Sequence, residues 1–461
     1  MFTIDELIKA TQGRFIQGPV TGHVKSICID SRLVKEGQLF IAVKGDVFDG
    51  HDFIKDVVSK GVRVVLLHKP VAIEHPKVSV IMVRDTTRAL GHLARFYRLR
   101  FKIPVIALTG SAGKTTTKEM IACVLGQKYR VLKNEGTQNN HIGVPLTLLK
   151  LKPSYQAVVL ECGSNQPGDI PWLGDVARPD IVVFTNIGES HLEKLKSPQG
   201  VLKEKWTLTS WMSSRRTVII NADDPLLSVK ARGLKRLRVV TYGMDKPCRF
   251  RARNVRIQQG HRLCFEVLGK TIELNTCGIN NVYNGLAAYT CGRLMSVADV
   301  AIVRALKHFE FPKGRGQIVK LGVGWLINDT YNANPVSMRC AIDTLATLKA
   351  KGKKIMMAAD MLELGTKAKD LHRDIGQAAA QAGIDVLITV GALSRHMAVQ
   401  AHRTNKHMRV FACTDIESAQ KHLARVLDNG DAVLVKGSRR MAMEKVVEFL
   451  LRSPGASSPN E

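Results

Sequence analysis

Aromatic residues make up only 5% of this 461-residue chain, so it has little material for the stacking platforms that hold single-stranded nucleic acid. Acidic residues are also scarce. Forty Asp and Glu stand against 68 Lys and Arg, a formal net charge of +28. That balance suits acidic partners, either nucleic acid or phosphorylated small molecules. The basic residues are spread along the whole chain, which together with the few aromatics argues against nucleic acid as the main partner. No apolar run reaches the roughly 18 residues of a membrane span. The opening MFTIDELIKATQGRF carries acids where a secretory signal has basic residues and a long apolar stretch, so the expected location is the cytoplasm. C-x-x-C pairs are missing, and the nine cysteines are widely spaced and odd in number. A disulfide framework and a zinc site are therefore disfavoured, and buried thiols are expected. No internal repeat is visible, and residues 453–461 of the ending RSPGASSPNE read as a disordered tail.

What is present is length and alternation. The chain is longer than one hydrophobic core supports, and 45% apolar content can fill several. Residues 1–100 mix short strand-like runs (SICID, QLFIAV, VRVVLL, VSVIMV) with helix-like stretches after His51 and over 86–98, a small α/β domain. Residues 101–312 begin with a strand, a glycine turn and a helix, followed by strands at YQAVVLE, DIVVFTN and TVIINAD. This is the pattern of a doubly wound parallel sheet. Between Phe250 and Thr276 the alternating segments FRARNVRIQ, LCFEVLG and TIELNT suggest a small appended antiparallel sheet. FPKGRG, 311–316, reads as a hinge, and residues 313–452 alternate again as a third, Rossmann-like domain. The expected fold class is α/β in three domains.

The sharpest motif is TGSAGKTTTKEM. An apolar strand runs into Gly110, Ser111, Ala112, Gly113, Lys114, Thr115 and Thr116 before a helix-compatible stretch. Glycines there let backbone N–H groups turn toward a phosphate, Lys114 offers a point charge, and Thr115 can hold Mg²⁺. Position 108 is Leu where a strict Walker A loop has Gly, so the loop is a shortened variant. ATP is the expected ligand. Such a loop needs a carboxylate near the metal, and Glu161 at the end of YQAVVLE is well placed, though a strand-end Glu is often a solvated or capping residue. His191 lies just past the next strand, where a lone His is more often structural.

Together these motifs resemble the Mur ligase family, the ATP-dependent amide-forming ligases of peptidoglycan assembly. The resemblance covers nearly the whole chain: DSR at 30–32 with FDGHDF at 48–53, TGSAGKTTTK, NNHIGVP at 139–145, DTYNANP at 329–335 with DMLELG at 360–365, and KGSRRMAME at 436–444. The last three point to the branch that adds D-alanyl-D-alanine to UDP-N-acetylmuramoyl-tripeptide. The resemblance implies a first domain holding the UDP end of the sugar nucleotide, a central domain holding ATP, and a third that closes over ATP and brings in the dipeptide. It implies an acyl-phosphate intermediate and, as a partner state, a monomer. Glu161 and His191 match metal ligands, Arg315 matches an arginine that meets the γ-phosphate, and Lys205 matches a lysine carbamylated by CO₂ that helps hold a second Mg²⁺. Lys205 could equally be a surface lysine in a largely polar segment.

By the same resemblance Asn281 and Asn284 lie near adenine, although Asn281 could simply cap the following helix. Asp329 matches a residue on the ribose hydroxyls or, alternatively, caps a loop. Ser31 and Arg32 match contacts to uridine diphosphate, and Asn139 and Asn140 contacts near the γ-phosphate, each with a turn-forming alternative. Lys436, Ser438 and Arg439 match a receptor for the dipeptide carboxylate, with a helix-start role open for Ser438. Gln166, Asn280, Thr207 and Ala359 depart from the family pattern without removing a metal ligand or the phosphate loop. Rival readings are another amide ligase of the superfamily and a non-catalytic nucleotide-binding regulator.

Overall fold

The computed structural model describes residues 1–258 and 261–452; the expected tail, 453–461, lies outside the described residues. Three α/β units follow one another. In the first, a five-stranded sheet has the order Arg14–Gln17, Ser79–Met82, Val64–Leu67, Gln38–Ile41, Ser26–Cys28, and only its first pair is antiparallel. The helix Thr86–Arg98 leads out of it. Asp85 caps that helix by accepting from Arg88 N at 2.9 Å. Leu90, Leu93 and Ala94 then join a core that also contains Ala107, Val158 and Phe184 of the next unit.

The central sheet has seven parallel strands in the order Phe250–Arg251, Arg238–Gly243, Thr217–Asn221, Ile181–Phe184, Val105–Thr109, Ala157–Glu161, Val131–Lys133. Helices cover both faces, which is why Val105–Thr109, Ala157–Glu161 and Ile181–Phe184 are buried at every position and read as unbroken apolar runs. The chain runs from Val105–Thr109 outward to one edge, then returns to the other side at Ile181, so the order reverses beside Val105–Thr109. Ligands of doubly wound sheets bind at the carboxyl ends of the strands at such a reversal. The expected antiparallel appendage is present as Arg253–Gln258, Arg262–Val267 and Lys270–Leu274. FRARNVRIQ divides, however: Phe250–Arg251 extends the central sheet and only Arg253–Gln258 joins the appendage.

The third unit is a six-stranded sheet, order Gln317–Leu321, Gly324–Asp329, Ala432–Lys436, Lys354–Ala359, Val386–Val390, Arg409–Cys413, parallel except for its first pair. It is docked on the central unit. Leu192, Leu195 and Val201 of the central unit share a buried cluster with Met338, Met361 and Leu364 of the third. The carboxyl ends of the two parallel sheets thereby face one another across a cleft. Every cysteine is free; five are buried as expected, whereas Cys28, Cys123, Cys248 and Cys340 are only half-buried. No helix among the described residues is long and apolar enough to cross a membrane.

Candidate active site

The turn Gly110–Gly113 is shaped by the next strand's exit. Ser111 N donates to Asn186 O at 2.9 Å, Ala112 N to Asn186 Oδ1 at 2.9 Å, and Thr185 Oγ1 to Ala112 O at 2.7 Å. A Cβ on Gly110 would lie 1.9 Å from Thr185 Oγ1. Gly113 has φ 77°, and a Cβ there would lie 2.7 Å from Asn284 Oδ1, so both glycines are required by close approach. The helix Lys114–Leu125 follows at once, its amino end uncapped by any side chain and open to an anion.

Glu161 is 1% exposed, which removes the solvated reading of that strand-end carboxylate. Its Oε2 accepts from Thr115 Oγ1 at 2.8 Å and its Oε1 from Asn139 Nδ2 at 2.8 Å. Asn134 clamps its backbone, accepting from Glu161 N at 2.9 Å and donating to Glu161 O at 3.1 Å. Thr115 and Glu161 thus present two hard oxygen donors side by side. No group of three His, Cys, Asp or Glu side chains gathers for a metal among the described residues. This fits Mg²⁺, which takes one or two protein oxygens and completes its shell with phosphates and water, and it does not fit a metal held by protein alone.

Three cations converge on this one carboxylate. Burial lowers the pKa of Lys114 while Glu161 raises it and Arg315 lowers it again. Arg315 is likewise pulled down by burial and raised by Glu161, Tyr331 and Asp329; its guanidinium lies 3.5 Å from the Tyr331 ring centroid. Lys205 is 1% exposed, so it is no surface lysine, and it donates to Ser164 Oγ at 3.2 Å. Burial, with Lys114 nearby, brings its pKa down to about 7. The three cations gather at the phosphate turn, where a polyanion would be received, while Asp223, Asp224, Asp329 and Glu363 line the cavity elsewhere.

Across the cleft, His191 Nδ1 lies 2.6 Å from Glu363 Oε2. Both residues hold left-handed backbone, φ 52° and 63°, a conformation that costs non-glycine residues energy and here aims one side chain at the other between two units. Asn334 Nδ2 adds a bond to Ser111 O at 3.2 Å. A cavity of about 660 Å³ lies between the units, lined among others by Lys114, Glu161, His191, Asn281, Arg315 and Asp329. Asn284 joins it, donating to Asn281 Oδ1 at 2.8 Å and accepting from Thr117 Oγ1 at 3.0 Å. Asn281 is the first residue of the helix Asn281–Leu294, whose N-cap position is Asn280, and its amide oxygen accepts from Asn284.

Other residues singled out from the sequence stand differently. Asn140 lines the cavity, yet its Oδ1 accepts from Ile142 N and Gly143 N and shapes the turn. Buried Lys436 pairs with half-buried Asp329, Nζ to Oδ2 2.5 Å, and also donates to Asn332 O at 2.8 Å. Reaching a dipeptide carboxylate would require Lys436 to exchange partners. Ser438 Oγ accepts from Leu362 N at 2.9 Å and Ser438 N donates to Asp360 O at 3.1 Å; it steadies the Glu363 loop and makes no side-chain cap bond. Arg439 pairs with Glu444 at 2.9 Å on the surface. Neither lines the cavity. Ser31 and Arg32 lie away in the first unit, where Arg32 forms a two-pronged bond to Asp30 at 2.9 and 2.7 Å with its side chain 85% exposed. Among the departures, Gln166 accepts from Lys194 Nζ at 3.1 Å and Thr207 Oγ1 donates to Glu204 O at 2.6 Å. Sequence reasoning passed over Asn186, Glu363, Asn334 and Ser164, although three of these four sit inside or beside quoted motifs.

Family models match three consecutive segments: the Mur ligase family catalytic domain at residues 23–98, the Mur ligase middle domain at 108–292, and the Mur ligase glutamate ligase domain at 314–439. UDP-N-acetylmuramoyl-tripeptide--D-alanyl-D-alanine ligase of Bacillus subtilis is 34% identical over 433 residues, 94% of each chain. The chain belongs to the Mur ligase family. This Mur ligase is also 32% identical to the Escherichia coli ligase of the same name, over 97% of its own length and 98% of the relative's. MurF from Acinetobacter baumannii superimposes with a TM-score of 0.91 at 29% identity, covering 98% of this chain and 99% of that one. MurF ligase from Thermotoga maritima, solved in complex with ADP, superimposes at 0.83 with 26% identity, covering 93% and 97%. The three-domain α/β architecture expected from the sequence is the one these neighbours share.

Proposed function

We propose that this Mur ligase joins D-alanyl-D-alanine to UDP-N-acetylmuramoyl-tripeptide at the expense of ATP. The observation that carries the chemistry is the convergence of Lys114, Arg315 and the uncapped helix at Lys114 on the buried carboxylate of Glu161. The substrate assignment is supported by relatives of that name matching along nearly the full length of both chains.

In the first step a tripeptide carboxylate oxygen forms a bond to the γ-phosphorus and the bond to the ADP oxygen breaks, giving an acyl phosphate. Lys114 and Arg315 bring two anions together and stabilise charge on the moving phosphoryl group. Asn139 and Asn134 hold Glu161 in place for this. The dipeptide amine then bonds to the acyl carbon, loses a proton, and inorganic phosphate leaves. Mg²⁺, held by Thr115, Glu161 and His191, would neutralise phosphate charge.

Lys205 supports a carbamate. A free lysine amine is neutral in roughly one molecule in 2,500 at pH 7, whereas a pKa of about 7 leaves near half of the Lys205 amines able to add to CO₂. The product carboxylate would offset the charge of Lys114 and Arg315 and would help hold a second Mg²⁺. Asn281 and Asn284 are assigned to adenine, Asp329 to ribose, Ser31 and Arg32 to uridine diphosphate. Domain limits of 1–100, 101–312 and 313–452 are proposed, one for each of the three α/β units. A monomeric enzyme is proposed, and nucleotide substrates support a cytoplasmic one.

An ADP-release panel pairing UDP-muramoyl tripeptides with D,D-dipeptides tests the assignment. Release that requires both partners is expected. Failure of every combination, or release with an amino acid in place of the dipeptide, refutes it.

A further inference from the structure

The basic residues that look scattered along the sequence are gathered by the fold. Six strands of the central sheet begin in line: Val158 pairs with Val105, Ala157 with Val131, Ile181 with Ile106 and with Thr217, and Thr217 with Arg238. Because all are parallel, the six segments leading into them emerge at one edge, the end of the sheet opposite the ATP cleft. Those segments are 98–104, 126–130, 149–156, 177–180, 211–216 and 231–237. They contain thirteen Lys and Arg and a single carboxylate, Asp180.

Most of this charge faces solvent. Lys102, Arg130, Lys150, Lys152, Arg215 and Arg236 are all exposed. Asp180 is already shared by Arg98 at 3.4 Å and Arg216 at 3.0 Å, and Asp175 by Arg95 and Arg178. Among the described residues, Lys102, Arg215 and Arg236 have no ion-pair partner. In the middle lies a recess of about 710 Å³ whose wall includes Trp211, with the Arg178 guanidinium 4.6 Å from a Trp211 ring centroid, and Leu99, 55% exposed. Six strands span about 25 Å at the usual spacing, and a five-residue strand separates this face from the ATP cleft by about 17 Å.

We infer that this face docks on an anionic phospholipid bilayer. Its charges sit on six separate loops over a broad face, so they match a planar array of negative headgroups. A nucleic-acid groove would ask for a projecting recognition element or stacking rings, and the chain is poor in aromatics. The exposed Leu99 and the Trp211 edge supply the apolar contact that an interfacial surface uses beside its cations. Docking this way leaves the ATP cleft pointing at solvent.

The test is sedimentation of the full chain with vesicles of phosphatidylcholine, with and without one-third phosphatidylglycerol, at low and at physiological salt. Binding is expected only to the anionic vesicles and is expected to weaken with salt. Removing a juxtamembrane cation lowers partitioning about fivefold, so Lys102→Glu/Arg215→Glu/Arg236→Glu should bind at least about 100-fold more weakly with an unchanged unfolding temperature. A control with the same charge change in the third unit, Arg403→Glu/Lys406→Glu/Arg425→Glu, should bind within about threefold of the parent. No binding to anionic vesicles, equal losses in both triple variants, or binding to single-stranded RNA that anionic vesicles fail to displace would overturn the inference.

Discussion

Lys205 concentrates much of the site's physics in one atom. Its amine is buried beside a second cation and has a pKa of about 7. Without modification it adds a third cation, after Lys114 and Arg315, around Glu161. Lys205→Ala is expected to lower turnover by at least about 100-fold, in line with the loss of one preorganised charge at a phosphoryl-transfer site. Bicarbonate should stimulate the parent after CO₂ is stripped from the buffer, and leave the variant unchanged. Full activity of Lys205→Ala, indifferent to bicarbonate, would refute the carbamate. Gly113→Ala is a test of backbone shape. The added methyl must sit at φ 77° and 2.7 Å from Asn284 Oδ1, so nucleotide affinity measured by calorimetry should fall more than about 10-fold, from left-handed strain of roughly 1–2 kcal/mol and displacement of Asn284.

Elements, more than residues, hold the cleft shut. The loop that carries Glu363 is pinned by His372, whose Nε2 accepts from Met361 N at 2.9 Å while its Nδ1–H donates to Ala368 O. That arrangement needs a neutral ring, and burial lowers the His372 pKa accordingly. The unfolded chain therefore binds a proton on this group below about pH 6.5 that the folded chain resists. Its contribution is intact above that pH and is lost as pH falls toward the depressed folded value, at up to about 1.4 kcal/mol per pH unit. Urea midpoints should decline more steeply from pH 7 to 5.5 in the parent than in His372→Gln. Glu363→Ala should reduce turnover about 10-fold while nucleotide affinity stays within about twofold, because the side chain touches His191 and not the phosphate turn. Loss of affinity equal to the loss of turnover would assign Glu363 to ATP binding instead.

The elements also show what a sequence can reveal. Strands covered on both faces, such as Ala157–Glu161 and Val386–Val390, are visible as apolar runs because every position is buried. Val131–Lys133 and Arg409–Cys413 escaped notice because they are edge strands with half-buried or exposed positions, and an arginine opens the latter. The phosphate turn and Glu161 could be found because local chain geometry creates them. The Asp329–Lys436 pair could not: its partners are 107 residues apart, joined only when Gly324–Asp329 pairs with Ala432–Lys436. The same holds for the basic edge, since thirteen scattered residues become neighbours only through the alignment of parallel strands.

At the scale of the whole molecule, the first and central units behave as one packed body. Arg98 is the rivet between them: its guanidinium donates to Ala177 O and Phe101 O at 3.1 Å and meets Asp180, while its side chain is 8% exposed. Arg98→Ala would take the donor from both carbonyls, while Asp180 keeps Arg216 and Val105 N, and should destabilise the protein by about 2–4 kcal/mol. Chemical denaturation should show this as a lower midpoint for the shared core of the first two units, with the third unit's transition unmoved.

The third unit is attached through 311–316, and Arg315 sits on that link between Gly314 and Gly316, which have φ of 74° and 69°. The guanidinium that reaches toward the phosphate turn is thus mounted on the pivot itself. A rotation of the third unit about this link would move Arg315 relative to Lys114 and Glu161, so the charge gathered at the phosphate turn depends on the angle between the two units.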